Sequence, residues 1–249
     1  MDQITRQVHT IRAKQKTAIT ASIALALICL WLAGGLAGCS CLSGKKHTES
    51  AEELAEKGME SFDDEDYSDA LKAFNTLKER YPYSRYAILA ELKVADAHFY
   101  REEYPEAISA YEDFVQLHPK NEAIPYVKYQ IGVCYYEQML SKDRDQTPTR
   151  QAILSFERLL REHADSAYAS EATKKINDCR KLLAEHELYV GRFYYKSKHY
   201  SAALGRFEGV LTGYMDVLSP NTRREVERLI IACKAQLSDR IGDEADDNN

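Results

Sequence analysis

Three stretches of this chain superimpose without a gap: DYSDALKAFNTLKERYP (66–82), EYPEAISAYEDFVQLHP (103–119) and HYSAALGRFEGVLTGY (199–214). Each sets a tyrosine, an alanine three residues on, an aromatic four later and an apolar residue three after that. The sets are Tyr67-Ala70-Phe74-Leu77, Tyr104-Ala107-Tyr111-Phe114 and Tyr200-Ala203-Phe207-Val210. A fourth copy, TRQAILSFERLLREHA (149–164), keeps Ala152-Phe156-Leu159 without the tyrosine. Steps of three and four put each set on one face of a helix. Twelve residues before the alanine of the three full copies stands a small residue, Gly58, Ala95 or Gly191; in the fourth, Gly132 precedes Ala152 by twenty. One such helix pair cannot bury its apolar face alone, so the copies must stack.

The pattern resembles the tetratricopeptide repeat, a helix pair of about 34 residues. The fold expected is therefore all-α, a TPR-like superhelix (an α-solenoid) of about four to five helix hairpins. The domain spans 51–241, with repeats near 51–84, 88–121, 125–166 and 184–217. SPNTRREVERLIIACKAQLSDRI (219–241) is a helix capping the stack, and the acidic residues 242–249 form a frayed tail. The small residue of helix A is expected to face the alanine of helix B, letting the backbones approach. The following aromatic fills the gap to the next repeat. In DRDQTP (143–148), Thr147 reads as a helix N-cap with Pro148 in the first turn.

The N-terminus has the grammar of an export signal. Arg6, Arg12, Lys14 and Lys16 precede an uncharged run from Thr17 to Gly44. A permanent membrane anchor is the alternative, since about 20 apolar residues span a bilayer. Leu36-Ala37-Gly38-Cys39 resembles a bacterial lipobox. That resemblance implies cleavage before Cys39 and a covalent lipid on its sulfur, with 1–38 removed as signal peptide. Ser40, in place of an aspartate, implies the outer membrane. Residues 39–50 are polar and read as a flexible lipid-proximal tether.

Residues 1–38 hold four basic residues and one acid, so the remainder carries −9 against −6 for the whole chain. No basic stripe stands out, which argues against nucleic acid. Cys41, Cys134, Cys179 and Cys233 form no C-x-x-C pair, so neither a zinc cage nor a redox dithiol is expected, and the last three read as buried thiols. HELYV (186–190) lacks the second histidine of H-E-x-x-H, and no glycine motif for phosphate or acyl transfer is present. No catalytic constellation, metal site or cofactor is expected beyond the lipid on Cys39.

Tyrosine is abundant, with 17 residues. Phe62, Phe99, Tyr100, Tyr126, Tyr129 and Tyr136 fall on the inner side of helix A in the first three repeats. There they can line a concave groove for extended peptides, although ordinary core is the alternative for many of them. The lipobox, the short tether and the helix pairs, together with RYPYSRYAILAELKVADAHFY (80–100), ADSAYASEATKKI (164–176) and LAEHELYVGRFYYK (183–196), resemble the BamD lipoproteins of the outer-membrane β-barrel assembly machinery. The chain departs from the proline-ended repeat at Ala164 and in TGYMDVLSP (212–220).

The resemblance implies a non-enzymatic scaffold on the periplasmic face of the outer membrane. It would bind a BamA-type barrel subunit, with other lipoproteins of the machinery as possible partners. Unfolded barrel proteins would enter the N-terminal groove. Arg192, Lys196, Arg206, Arg223 and Arg224 make a local positive cluster suited to an acidic partner surface. A TPR lipoprotein serving a pilus or secretion system is the second reading.

Overall fold

A computed structural model describes residues 48–246. The signal segment 1–38, Cys39 and most of the tether lie outside the described residues. Among the described residues nine α-helices follow one another: α1 (Ala51–Asp63), α2 (Tyr67–Arg80), α3 (Ala87–Tyr100), α4 (Tyr104–Leu117), α5 (Ile124–Glu137), α6 (Thr147–Glu162), α7 (Ala169–Lys196), α8 (Tyr200–Tyr214) and α9 (Pro220–Asp246). A single 3₁₀ turn, Met215–Val217, joins the last two. Each helix packs chiefly on its neighbours in sequence. This is the nearest-neighbour stacking of an all-α, TPR-like solenoid.

Helix starts follow local chemistry. Ser50, expected within the tether, caps α1: its Oγ accepts from Glu53 N (3.2 Å), while its own N–H donates to Glu53 Oε2 (2.7 Å). That reciprocal pair is a capping box. Pro105, Pro125 and Pro148 occupy first turns, where their missing N–H costs nothing. Thr147 is the first helical residue of α6 and not its cap. Asp145 Oδ1 accepts from both Thr147 N (3.1 Å) and Thr147 Oγ1 (2.9 Å).

The turns repeat as faithfully as the helices. After α1, α3 and α7 the chain closes with Asp66 N→Ser61 O, Glu103 N→His98 O and His199 N→Tyr194 O, at 2.8–3.0 Å. Glu65, Glu102 and Lys198 carry the positive φ (60–63°) that this Schellman-type closure requires. These turns form one edge of the stack, hereafter the distal edge. The opposite edge holds the start of α1 and the turns after α2, α4 and α6.

The alanines meet expectation. Ala70, Ala107, Ala152 and Ala203 are all fully buried. The glycines do not. A Cβ built on Gly58 would lie 2.6 Å from Phe74 Cε1, on Gly132 2.5 Å from Phe156 Cε1, and on Gly191 2.5 Å from Phe207 Cε1. The aromatic, not the alanine, is therefore what lies closest to the small residue. It packs on the small residue of its own hairpin and also shares a core with the next helix: Phe74 with Ala87 and Ala90, Phe156 with Ala172 and Cys179, Phe207 with Val226 and Cys233. Ala107→Leu pushes three carbons into this seam and is expected to cost roughly 1–3 kcal/mol. Urea unfolding checks this, and wild-type stability would refute the repeat frame.

Two boundaries differ from the sequence reading. α7 is one 28-residue helix, so 169–183, left between repeats, is continuous with the fourth helix A. No glycine or proline interrupts it before Gly191, and Ala172, Cys179, Leu183 and Leu188 keep one buried face. Its first part closes the third hairpin's core and its second part pairs with α8. The capping helix runs on to Asp246, into the segment read as a tail.

Candidate functional site

The six ring positions occupy adjoining faces of α1, α3 and α5. At the distal edge Phe62 meets Tyr100 edge-on (5.6 Å between centroids), and Tyr100 meets Phe99 in the same way (5.4 Å). Tyr67 stacks on Tyr100 at 5.0 Å, and Tyr104 approaches Phe99 at 5.9 Å. Tyr67 and Tyr104 were read from the sequence only as repeat markers. Tyr100 is half exposed, and Phe62 and Phe99 are partly buried. Phe99 also packs into the third hairpin's core beside Tyr129 and Tyr136, which joins the two ends of the line.

Tyr129 stacks on Tyr168 at 5.1 Å, with Phe156 at 5.8 Å. Lys93 Nζ stands 4.2 Å above the Phe62 ring and Lys175 Nζ 3.9 Å above Tyr136. Both placements are cation–π contacts, in which the ring's negative face attracts the ammonium. The surface is thus a line of rings with two cations set among them. Beside it, Glu103 accepts from Arg101 (2.6 and 2.9 Å) and pairs with His98 (2.7 Å). These hydrogen bonds lower its carboxyl to about 2.

Tyr126, 5.9 Å from Tyr168 between ring centroids, is also tied into a buried network. Its phenol donates to Asp96 Oδ1 (2.9 Å) and accepts from Gln130 Nε2 (3.0 Å). Tyr111 donates to the same oxygen at 2.8 Å, and Lys93 binds Asp96 Oδ2 at 3.1 Å. Asp96 is only 3% exposed, so its charge rests on these three donors. Burial, then the charge of Asp96, pushes both phenols well above the ordinary tyrosine value. The network ties α3, α4 and α5 together beneath the rings. Sequence reasoning passed over Asp96, although one acid flanked by Val94, Ala95 and Ala97 was a signal.

The basic residues of the C-terminal half do not form an open cluster. Arg192 pairs with Glu225 (2.6 Å) and Arg206 with Glu187 (2.7 Å). Arg223 Nη2 donates to the Met215 carbonyl at 3.1 Å, and Arg224 donates to Asn221 Oδ1 at 2.6 Å within its own turn. Lys196 is exposed. The positive charge seen along the sequence is offset in part by Glu187 and Glu225, which lie 19 and 33 residues from their partners. Arg180 fastens the 3₁₀ turn in the same region. It donates to Asp216 Oδ1 (2.7 Å) and to the Gly213 carbonyl (3.0 Å).

Cys134, Cys179 and Cys233 are buried free thiols, and burial pushes the first two up to about 12. A thiol held protonated is a poor nucleophile. Buried Gln146 organises the long turn before α6. Its amide donates to the carbonyls of Ser141 (3.0 Å) and Arg144 (3.1 Å), and its oxygen accepts from Thr149 (3.1 Å). The Lys142 carbonyl accepts from His186 Nδ1 of α7 (2.7 Å), so this turn is docked on the stack. Among the described residues no group of His, Cys, Asp or Glu is arranged to hold a metal.

Known proteins share this sequence over most of its length. The BamD outer membrane protein assembly factor of Caulobacter vibrioides is 29% identical over 230 residues, covering 90% of this chain and 73% of that protein. Those of Neisseria meningitidis serogroup A and Rickettsia prowazekii are each 30% identical over 192 residues. They cover 73% and 77% of this chain and 70% and 74% of theirs. Among solved structures, the TPR2AB domain of yeast Sti1 in complex with pHSP90 has a TM-score of 0.48 at 17% identity, over 75% of this chain and 70% of that one. The pattern of the YfiO family, described as an outer membrane lipoprotein, matches residues 47–246, which takes in every helix above from α1 to α9. By that match the chain belongs to the YfiO family of outer membrane lipoproteins.

Proposed function

We propose that this protein is a scaffold of outer-membrane β-barrel assembly, acylated on Cys39 and held at the periplasmic face of the outer membrane. Its N-terminal helices receive extended segments of unfolded barrel proteins. Its C-terminal half holds a BamA-type subunit. The relatives are named as assembly factors, and the family is one of scaffolds, not enzymes. The lipid rests on the lipobox and on the family description.

The observation that carries the substrate reading is the line Phe62–Tyr100–Phe99. Its ring centroids lie 5.4–5.6 Å apart on the edge of the stack, and Tyr100 is half exposed. Alternate side chains of an extended strand stand about 6.6 Å apart on one face. A strand with apolar or aromatic residues at every second position can therefore set successive rings against this line. Lys93, over Phe62, supplies a charge for the strand's polar flank.

For the barrel subunit, Lys196 and Arg224 are the exposed charges, because Arg192 and Arg206 are held in ion pairs of the stack. Tyr126 is unsuitable for testing the groove, because it also supports Asp96. Tyr100→Ala is expected to weaken crosslinking to a barrel-derived C-terminal peptide roughly 2–10-fold, the worth of one aromatic contact. The variant should still co-purify with the large subunit. Lys196→Glu with Arg224→Glu should do the reverse. If both folded variants lose both activities, or neither loses either, the two ends do not divide the work.

A further inference from the structure

The turns after α2, α4 and α6 share one backbone. Ser84 N→Tyr81 O and Ala87 N→Ser84 O in the first are matched by Asn121 N→His118 O and Ile124 N→Asn121 O, then by Ser166 N→His163 O and Ala169 N→Ser166 O, all at 3.0–3.1 Å. On this common frame the side chains diverge. The tips of the second and third turns are HPKNEA and HADSAY; the first is RYPYSRY (80–86), with no acid and two arginines. Tyr83 at its tip is fully exposed, and Ile88 and Leu89 follow at the start of α3, 42% and 37% exposed. At Tyr83's place the other turns carry Lys120 and Asp165, both exposed.

The odd turn is also the one that packs on the start of α1. Arg85 Nη2 donates to Glu52 Oε1 (3.2 Å), Tyr86 donates to the same oxygen (2.7 Å), and the Arg85 guanidinium lies 4.6 Å over the Tyr86 ring. Glu52 is in the first turn of α1, two residues past the Ser50 cap. Ser50 stands eleven residues after Cys39. A flexible chain of that length averages about 18 Å end to end and cannot exceed about 40 Å. If the lipid is on Cys39, the RYPYSRY turn is confined to the neighbourhood of the bilayer surface.

We propose that this turn is a second, non-covalent membrane contact. Tyr83 enters the headgroup layer and Arg80 binds a lipid phosphate, while Arg85 stays paired with Glu52 and holds the turn on the start of α1. Tyrosine favours that layer because its ring is apolar and its hydroxyl wet. Arginine matches a phosphate with paired N–H donors. The contact would orient the solenoid, with the α1 end at the membrane and the distal edge turned away. It rests on acylation at Cys39, and the test separates the two.

The chain's one tryptophan, Trp31, lies in the cleaved segment, so Tyr83→Trp places a single fluorophore in the mature protein. The acylated mature variant, residues 39–249, is reconstituted into vesicles of phosphatidylethanolamine and phosphatidylglycerol. Mass and vesicle flotation report the anchor. Emission wavelength and quenching by brominated phospholipid report the turn. The expected result is a shift to shorter wavelength and quenching several-fold above that of Asp165→Trp, which marks the same turn two hairpins on. Adding Arg80→Glu should weaken the contact about fivefold or more, as loss of one basic residue near an anionic surface implies. A chain that is acylated and floats, yet emits from position 83 as it does in water, overturns the membrane contact and leaves the anchor standing. Quenching that appears only when a large barrel subunit is added also overturns it, since the turn then answers to a protein. A chain without acyl mass that fails to float overturns the anchor and, with it, this inference.

Discussion

Phe156→Ala is expected to lower the unfolding free energy by about 3–5 kcal/mol, the usual cost of emptying a buried phenyl site. Phe156 is fully buried between α5 and α6. Gly132 is the reason the ring fits, since a Cβ there would sit 2.5–2.9 Å from three ring carbons. Gly132→Ala is therefore expected to destabilise by roughly 1–2 kcal/mol, an overpacking cost reduced by alanine's better helix propensity of about 1 kcal/mol. Combining Gly132→Ala with Phe156→Leu should cost less than the two changes summed, with a coupling of about 1 kcal/mol or more. The control is Gly209→Ala on α8, where nothing lies within 4 Å; there only propensity acts, and stability should rise by up to about 1 kcal/mol. Urea denaturation followed by circular dichroism reads all of these, with Phe156→Leu alone completing the cycle. Strict additivity of the Gly132 and Phe156 changes would show that ring and glycine are not the matched pair described.

Asp96→Ala is the second large effect, of order 3–5 kcal/mol. It leaves the buried Tyr111 phenol without an acceptor and strips Tyr126 and Lys93 of theirs. Asp96→Asn should cost about half as much, because an amide oxygen can still accept from both phenols while the charge opposite Lys93 is lost. The damage should be local. Since each helix packs chiefly on its neighbours in sequence, hydrogen exchange should quicken through α3, α4 and α5 and much less in α8 and α9. Equal loss of protection along the whole chain would mean that the network is not the clasp of the second hairpin. A further consequence concerns function. Asp96 lies under the ring line, so on the function proposed above its loss should weaken peptide crosslinking while co-purification of the barrel subunit persists.

The same reasoning separates two kinds of charge in the C-terminal half. Arg192 and Arg206 look, along the chain, like members of a binding patch. In the fold each faces a glutamate of another helix, so reversing either removes an ion pair and sets two carboxylates toward each other before any partner is considered. A partner-binding defect in Arg192→Glu would thus need a stability measurement beside it, whereas Lys196→Glu would not.

How far the sequence reached depends on the range of each interaction. The helix pairs, the burial of Ala70, Ala107, Ala152 and Ala203, and the special status of Gly58, Gly132 and Gly191 were legible, because a helix face repeats every three to four residues and the same solution recurs in each hairpin. Even the eight-residue insertion between Gly132 and Ala152 left the Gly132–Phe156 pairing intact. The three turns with positive φ at Glu65, Glu102 and Lys198 were not legible, since none carries the glycine that marks such closures. Nor was the unbroken α7, because a helix without internal breakers looks the same whether it serves one hairpin or joins two.

Only the tertiary structure decided which polar groups meet. Asp96 gathers Tyr111 and Tyr126 from 15 and 30 residues away, Glu225 takes Arg192 from 33, and Glu52 takes Arg85 and Tyr86 from 33 and 34. Separations of 33 and 34 are one repeat length, so the period tells which positions neighbour one another, but not which side chains at those positions pair. The sequence by itself determined that the units are helix pairs and where their apolar seams lie, because packing of Gly, Ala and Phe repeats locally. The stacking register alone determined which tyrosines line a surface and which hold a buried charge. It also determined which arginines are neutralised and which turn packs on the start of α1.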